Sequence, residues 1–322
     1  MSDGMLTETV ERILADTVTP AVIEAAERRE LPAQVLATLD ENGVFDLLVP
    51  EAAGGVGATM AEAVAVMRAF GAAAAPGPLL ETMLGRALLA EAGLEPGRGP
   101  LALAFANDPG ALWRVPWGGL VERIVVVGDA GVGVAVRAEA HVTAGAGPCG
   151  EPRDDIVSSR PVALHPIGPG AFERAALLRA GQIMGAIGWV FERSADYANE
   201  RQQFGKEIGK FQAVQQMLAV LADNYLAGSG ITEAAAEAGE ARLIAAARSR
   251  LGEASDRAIE VGHQVHGALG FSREYALNYR TRRLMSWRDE YGGVGFWRAR
   301  LARMFAGLSR EAVWPAVSGV SG

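Results

Sequence analysis

Residues Arg201 to Gln215, RQQFGKEIGKFQAVQ, set one arginine and two phenylalanines around two glycines four apart, in a segment that otherwise favours helix. A glycine in a helix interior costs about 1 kcal/mol against alanine, so Gly205 and Gly209 point to a bend between two helices. Such a bend puts Arg201 at the end of one helix and Gln212 in the first turn of the next. An arginine fork beside the free amides of a helix start suits a phosphate or pyrophosphate. Phe204 offers a face to a flat ring. A plain helix corner with a solvent-facing arginine fits the same residues.

A second stretch, GHQVHGALGFSREYALNYRTRRL, ends a long helix in a glycine-rich turn at Gly267 to Gly270 before another helix begins. Gln264, Gly267 and Ala268 present an amide side chain and bare backbone there. A polar cofactor held between this turn and the 201–212 corner is the chemistry the two stretches share. Other chemistries find little support. His263 and His266 share a helix face, but no further ligands stand at metal-site spacing, and His141 and His165 lie elsewhere. Cys149 sits in a glycine–proline loop without a nearby base, and no Gly-x-Ser-x-Gly occurs. GDAGVGVAV lacks the three-glycine spacing of a dinucleotide loop and reads as a β-turn. Arg280, Arg282, Arg283 and Arg288 form a basic cluster that suits a phosphate, or more simply a solvated helix face or salt bridges.

The elements that must position these residues follow from periodicity. Residues 1–98 read as helices, with boundaries at Pro20, Pro32, Pro76 and Pro78. Residues 99–167 turn rich in valine and glycine, and LALAFA, ERIVVVGDA, GVGVAVRA and DIVSSRPVAL read as short strands of a small β-domain. Residues 168–322 are helical again. Leu177, Met184, Ile187 and Phe191 form one apolar stripe; Phe211, Val214, Met217, Leu218, Leu221 and Tyr225 form a second. Ile244, Ala247, Leu251, Ala254, Ala258 and Val265 form a third, on a helix expected to start near Thr232 and run for roughly 30 residues. The class is mainly α with a small β-domain and a C-terminal bundle.

The chain has 322 residues, half of them hydrophobic, and a net charge of −8. That balance suits a packed globular protein and disfavours nucleic acid or an anionic membrane as partner. A single cysteine permits no disulfide within the chain. The acidic start MSDGMLTETVERIL lacks the features of a signal peptide, and no apolar run reaches the ~20 residues of a membrane helix. The expected setting is the cytoplasm.

In this order and at this separation, YANERQQFGKEIGKFQAVQQMLA and QVHGALGFSREYALNYRTRRL resemble the signatures of the acyl-CoA dehydrogenase family, and FDLLVPEAAGGVGATMAEAVAVMRAFG and PGPLL resemble its N-terminal domain. The resemblance spans nearly the whole chain. It implies an N-terminal α-domain, a middle β-domain, a C-terminal four-helix bundle, and FAD lying across a subunit interface. It assigns Arg201, Gln203, Phe204, Phe211, Gln212, Gln264, Gly267 and Ala268 to the ADP portion of FAD. It further implies an acyl-CoA substrate, α,β-dehydrogenation by a glutamate base, and an electron-transfer flavoprotein as electron acceptor.

The departures are as informative. Counted from Gly267, the family's Tyr-Glu-Gly-Thr motif falls on Glu290, Tyr291, Gly292 and Gly293, so Tyr291 stands in the place of the base. A phenol with a pKa near 10 is a poor base for this task. Glu290, one residue away, is expected to face elsewhere if the segment is helical. The alternative base position of the family falls on Ala175, with Glu173 off the face. The acidic loop that holds the flavin ring is missing, AFANDPG being the nearest remnant. No catalytic residue is therefore assigned. The pattern is that of a degenerate subunit pairing with a paralogous catalytic subunit in an α2β2 assembly, of the kind used on bulky, sterol-derived acyl-CoAs. Two alternatives stand beside it: a self-sufficient homo-oligomer with Glu290 as relocated base, and a flavin-free scaffold.

Overall fold

The computed structural model describes residues 3–318. Five helices open the chain: α1 (Asp3–Thr17), α2 (Pro20–Glu27), α3 (Ala33–Glu41), α4 (Met60–Ala72) and α5 (Leu79–Glu91). The prolines act as expected: Pro20 begins α2, while Pro32 and Pro78 stand at the N-caps of α3 and α5. Thr59 and Glu62 close a capping box on α4. Arg86 of α5 is fully buried and donates to Asp40 at 2.7 Å, Asp46 at 2.9 Å and the Gly99 carbonyl at 3.0 Å, fastening the helical layer to the entry of the β region.

Six strands follow: β1 (Leu101–Phe105), β2 (Ala111–Pro116), β3 (Arg123–Gly128), β4 (Gly131–Val136), β5 (Ala140–Thr143) and β6 (Arg153–Ser158). They form two sheets of three, ordered β1-β3-β4 and β2-β6-β5, with β1 parallel to β3 and the other pairs antiparallel. Sequence patterning misses β2, which carries an arginine and ends in proline, and β5, which has only four residues; both pair with β6. It also overextends β6, because Ser159 onward leaves the sheet.

The rest is helical: α6 (Ala171–Glu200), a two-stranded hairpin of β7 (Gln202–Gln203) and β8 (Lys206–Glu207), then α7 (Gln212–Ala238), α8 (Ala241–His266), α9 (Ala276–Trp287), α10 (Val294–Phe305) and α11 (Arg310–Ser318). The third apolar stripe is buried throughout, but its helix does not start near Thr232. Gly239 adopts φ +65° and ends α7, so α8 begins at Ala241. The first stripe is buried apart from the half-buried Phe191. The second is mostly half-buried, only Leu221 being fully covered. Helices α4 and α6 cross at backbone contact: a Cβ on Gly71 would meet the Gln182 carbonyl oxygen at 1.8 Å, and one on Gly185 the Arg68 carbonyl oxygen at 1.9 Å. One hydrophobic core runs from α1–α5 through β1 and β3 into the start of α6, and a second fills the α6–α9 bundle. No helix among the described residues is long and apolar enough to cross a membrane.

Candidate functional site

Arg201 is the C-cap of α6, and its own N–H still donates to the Tyr197 carbonyl at 2.9 Å. The chain then reverses in the β7–β8 hairpin. Of the two glycines, only Gly205 makes the turn, at φ +80°, together with Phe204 at φ +53°. Gly209 has a different task from the one expected: a Cβ there would lie 3.1 Å from the Ala198 carbonyl oxygen, so it allows the hairpin to press on α6. A phenylalanine in the left-handed region is strained, and Phe204 is also 90 % exposed, touching Phe211 edge-on at 6.1 Å. The strain and the exposure together hold an aromatic ring out into solvent.

Across a cleft from the hairpin stands the end of α8 and the 3-10 turn Gly267–Phe271, entered through Gly267 at φ +58°. The cleft, about 650 Å³, is lined by Arg201, Gln203, Phe204, Phe211, Gln264, Gly267 and Ala268, with Ile208, Val214 and Met217 as its apolar wall. Seven of the eight residues singled out in the sequence thus share one cleft. Gln212, the first residue of α7, lies just outside the lining. Tyr197 and His266 also line the cleft and were not read from the sequence. The signal was there, since Tyr197 stands one helical turn before Arg201 and His266 immediately before Gly267. Among the described residues the exposed Arg201 guanidinium has no acceptor, and the start of α7 has no side-chain cap. An unpaired fork beside uncapped helix amides and an apolar slot has the chemistry to take a diphosphate group joined to a flat ring.

The segment after α9 is arranged the opposite way. Residues 288–293 form a turn, not a helix, so the rotation argument for Glu290 does not apply; Tyr291 adopts φ +53°. The Tyr291 hydroxyl donates to Glu81 Oε1 at 2.9 Å, and Arg179 Nη2 lies 2.8 Å from both Glu81 Oε1 and Glu290 Oε2. Arg153 Nε donates to Glu290 Oε1 at 2.9 Å. Arg248, buried, gathers the carbonyls of Glu290 at 2.6 Å and Gly292 at 3.1 Å on one nitrogen, and burial pushes it down to about 9. Burial raises the pKa of Glu81 despite Arg179. In Glu290 burial acts the same way, but Arg153 and Arg179 outweigh it and hold the carboxyl below its ordinary range. Burial raises Tyr291 well above a normal phenol, with Glu81 adding to it. Tyr291 and Glu290 wall a cavity of about 380 Å³ with Phe105, Phe172 and Arg153.

Glu173 pairs with Arg300 and Ala175 is buried in the core, so neither offers a base. Asn107 of the AFANDPG turn lies on a separate cleft beside the start of α6. The basic cluster resolves into structural contacts: Arg283 with Glu151 at 2.8 Å, Arg282 with Glu27, Arg288 with Asp256, and Arg280 over the Trp189 ring at 4.1 Å. Cys149 is buried and accepts from Ser286 at 3.2 Å. Among the described residues no histidine, cysteine or acidic cluster could hold a metal.

Comparison with known proteins agrees with this layout. Residues 2–96 match the family model for the acyl-CoA dehydrogenase N-terminal domain, and residues 169–293 that for the C-terminal domain. The chain is 29% identical over 290 residues to the acyl-CoA dehydrogenase IpdE2 of Mycobacterium tuberculosis, covering 87% of this chain and 89% of that one. It is 26% identical over 305 residues to the acyl-CoA dehydrogenase FadE34 of the same organism, covering 86% of this chain and 43% of that one. In fold it is similar to a chain of the ChsE4–ChsE5 complex from Mycobacterium tuberculosis, with TM-score 0.83, 21% identity, and coverage of 95% of this chain and 98% of that one. It is similar too to a chain of a Tcur3481–Tcur3483 steroid ACAD variant, with TM-score 0.82, 21% identity, and coverage of 94% and 97%. With both terminal domains matched and the middle strands in place between them, the chain belongs to the acyl-CoA dehydrogenase family.

Proposed function

We propose that this chain is the half-site subunit of a heteromeric acyl-CoA dehydrogenase, giving the ADP side of the FAD site to a catalytic paralogue. FAD is the cofactor of the family, and when bound it accepts the hydride equivalent removed from the acyl β-carbon. One asymmetry carries the reading: the cleft at Arg201 is open with its arginine unpaired, whereas the place of the base holds a tyrosine bonded to Glu81. In the proposed complex Arg201 binds the pyrophosphate, Phe204 and Phe211 flank the adenosine, and Gln264 with the Gly267 turn closes the other side. The partner brings the base and the ring platform. The exposed apolar residues Val220 and Leu226 on α7, together with Phe204, Leu269 and Phe271 around the cleft, give the contact surface such a partner requires. A bulky, steroid-derived acyl-CoA is the proposed substrate, supported by the structural likeness to a steroid ACAD. An electron-transfer flavoprotein is the proposed acceptor.

Glu290 as a relocated base is disfavoured by its two arginines, since a carboxylate held below its ordinary pKa is a weak base. The test is flavin content and native mass of the chain purified alone and co-expressed with a full-length acyl-CoA dehydrogenase paralogue from the same genome. A colourless chain alone and one FAD per pair in a heterotetramer are expected. One FAD per chain from this protein by itself rejects the reading.

A further inference from the structure

The turn that carries Gly267 and Ala268 is pinned by two histidines to which the proposed function gives no part. His266 is 3 % exposed, and its ring lies on Tyr197 with centroids 4.5 Å apart and planes 26° apart. Tyr275 covers it from the start of α9 at 5.4 Å. The carbonyl of Gly262, 2.8 Å away, can only accept, so Nδ1 carries the proton and Nε2 is a bare lone pair, buried without a hydrogen-bond partner among the described residues. His263 stacks on Phe271 at 4.4 Å, and its Nε2 shares a hydrogen bond with the Thr281 hydroxyl at 3.0 Å, holding the far end of the same turn.

Tyr197 and His266 both line the nucleotide cleft, and Tyr197 accepts from the Arg201 amide. The stack therefore joins the two walls: the α6 end that sets Arg201 and the α8 end that sets Gln264 and Gly267. We propose that His266 is a positioning residue, whose neutral ring, clamped against Tyr197, fixes the spacing of the two walls for FAD. The inference rests on the half-site reading.

The same geometry makes the clamp sensitive to acid. A second ring proton would sit on Nε2 in a sealed place, close to Arg193, which donates to the Tyr275 hydroxyl at 3.3 Å and pairs with Glu200 at 3.1 Å. Tyr197, Tyr275, Arg193, Glu200 and His263 are the titratable groups around the ring. Burial lowers the pKa of His266; the charges of Arg193 and His263 act in the same sense, and the carbonyls of Gly262 and Arg193 act against it. A depressed histidine favours the closed turn fully above its free pKa of about 6.5 and loses that advantage as pH falls from there to its value in the closed form.

The experiment compares the co-expressed complex containing the native chain with complexes carrying His266→Ala, His266→Phe or Arg201→Ala. FAD affinity is read from flavin fluorescence at about pH 7.5 and about pH 5.5, with native mass and near-ultraviolet circular dichroism reporting folding. In the native complex FAD affinity is expected to fall at the lower pH, by about tenfold at most. His266→Ala is expected to bind weakly at both. His266→Phe, which keeps the stack and cannot titrate, should bind more tightly than His266→Ala at the higher pH and lose roughly threefold or more of the pH dependence. Native affinity in His266→Ala, or native pH dependence in His266→Phe, overturns the proposal; if the alanine variant does not fold, the phenylalanine variant alone decides. Arg201→Ala separates the two failures. Unchanged affinity there sinks the half-site itself, whereas weakened binding beside unaffected His266 variants sinks only the clamp.

Discussion

Arg201 and Glu290 are both charged residues near a cleft, yet they differ in what already satisfies them. Among the described residues Arg201 has no acceptor, so removing it leaves no protein group unpaired. Arg201→Ala is expected to weaken FAD retention by the complex by about 2 kcal/mol, roughly thirtyfold, as for a lost charged contact to a pyrophosphate. Arg201→Lys, which keeps the charge but loses the fork, should fall between the two, as read by equilibrium dialysis. Glu290 instead neutralises Arg153 and Arg179 in the interior. Glu290→Gln leaves two buried arginines short of an anion, and is expected to cost about 3 kcal/mol in urea unfolding while dehydrogenase turnover per FAD stays near normal. Glu81→Gln should be milder at neutral pH. Burial already pushes Glu81 towards its protonated form, and the glutamine oxygen can still accept from Tyr291. If Glu81→Gln proves the more damaging of the two, the charge assignment within this network is wrong.

At the scale of elements, the cleft depends on where α6 ends, and α6 is held by its crossing with α4. Gly71 and Gly185 sit where each backbone meets the other helix, with no room for a methyl group. Gly185→Ala is therefore expected to destabilise the chain by about 1–3 kcal/mol through overpacking, although alanine is the better helix former. Chemical denaturation reads this directly, and a neutral or stabilising outcome would contradict the close crossing. The hairpin between α6 and α7 shows how far such elements can be read from sequence. Two glycines announced a bend, and a bend is there. That Gly205 turns while Gly209 only makes room depends on Ala198, which lies on another element. The break at Gly239 was missed for a related reason, since a single glycine within a helical pattern does not announce whether its φ will be positive.

For the whole molecule, acid should act on the charges that join its layers. Asp40 feels burial, which raises its pKa, but Arg86 outweighs it and the group is lowered; Glu290 behaves likewise with Arg153 and Arg179. A depressed carboxyl contributes stability in full above its unfolded pKa, near 4, and loses it as pH falls through the folded value. Stability against urea is thus expected to hold down to about pH 5 and to drop below it. These two groups tie α5 to α3 and β6 to the turn after α9, so loosening is expected at the seams between helical and β regions. Hydrogen exchange at low pH would locate it; uniform exposure, with no preference for those seams, would refute the assignment.

By itself the sequence determined the helical and β regions, most helix ends marked by proline, the buried stripes of α6 and α8, and the family. It also determined that Arg201, Phe204, Gln264 and Gly267 belong together, because glycine turns and unusual residue types are local features that survive in a one-dimensional reading. Strands β2 and β5 were invisible to it, since a segment without clear alternation or a β-branched run becomes a strand only when β6 supplies its hydrogen bonds. Only the tertiary structure decided the fate of Glu290 and Tyr291. Their partners, Arg153, Arg179 and Glu81, come from a strand and two helices far apart along the chain, and no spacing within a motif can show that three distant residues have closed over one position. The clamp at His266 was hidden for the same reason. A histidine is a base, a ligand or a core residue according to what faces its two nitrogens, and that is set by packing, not by sequence.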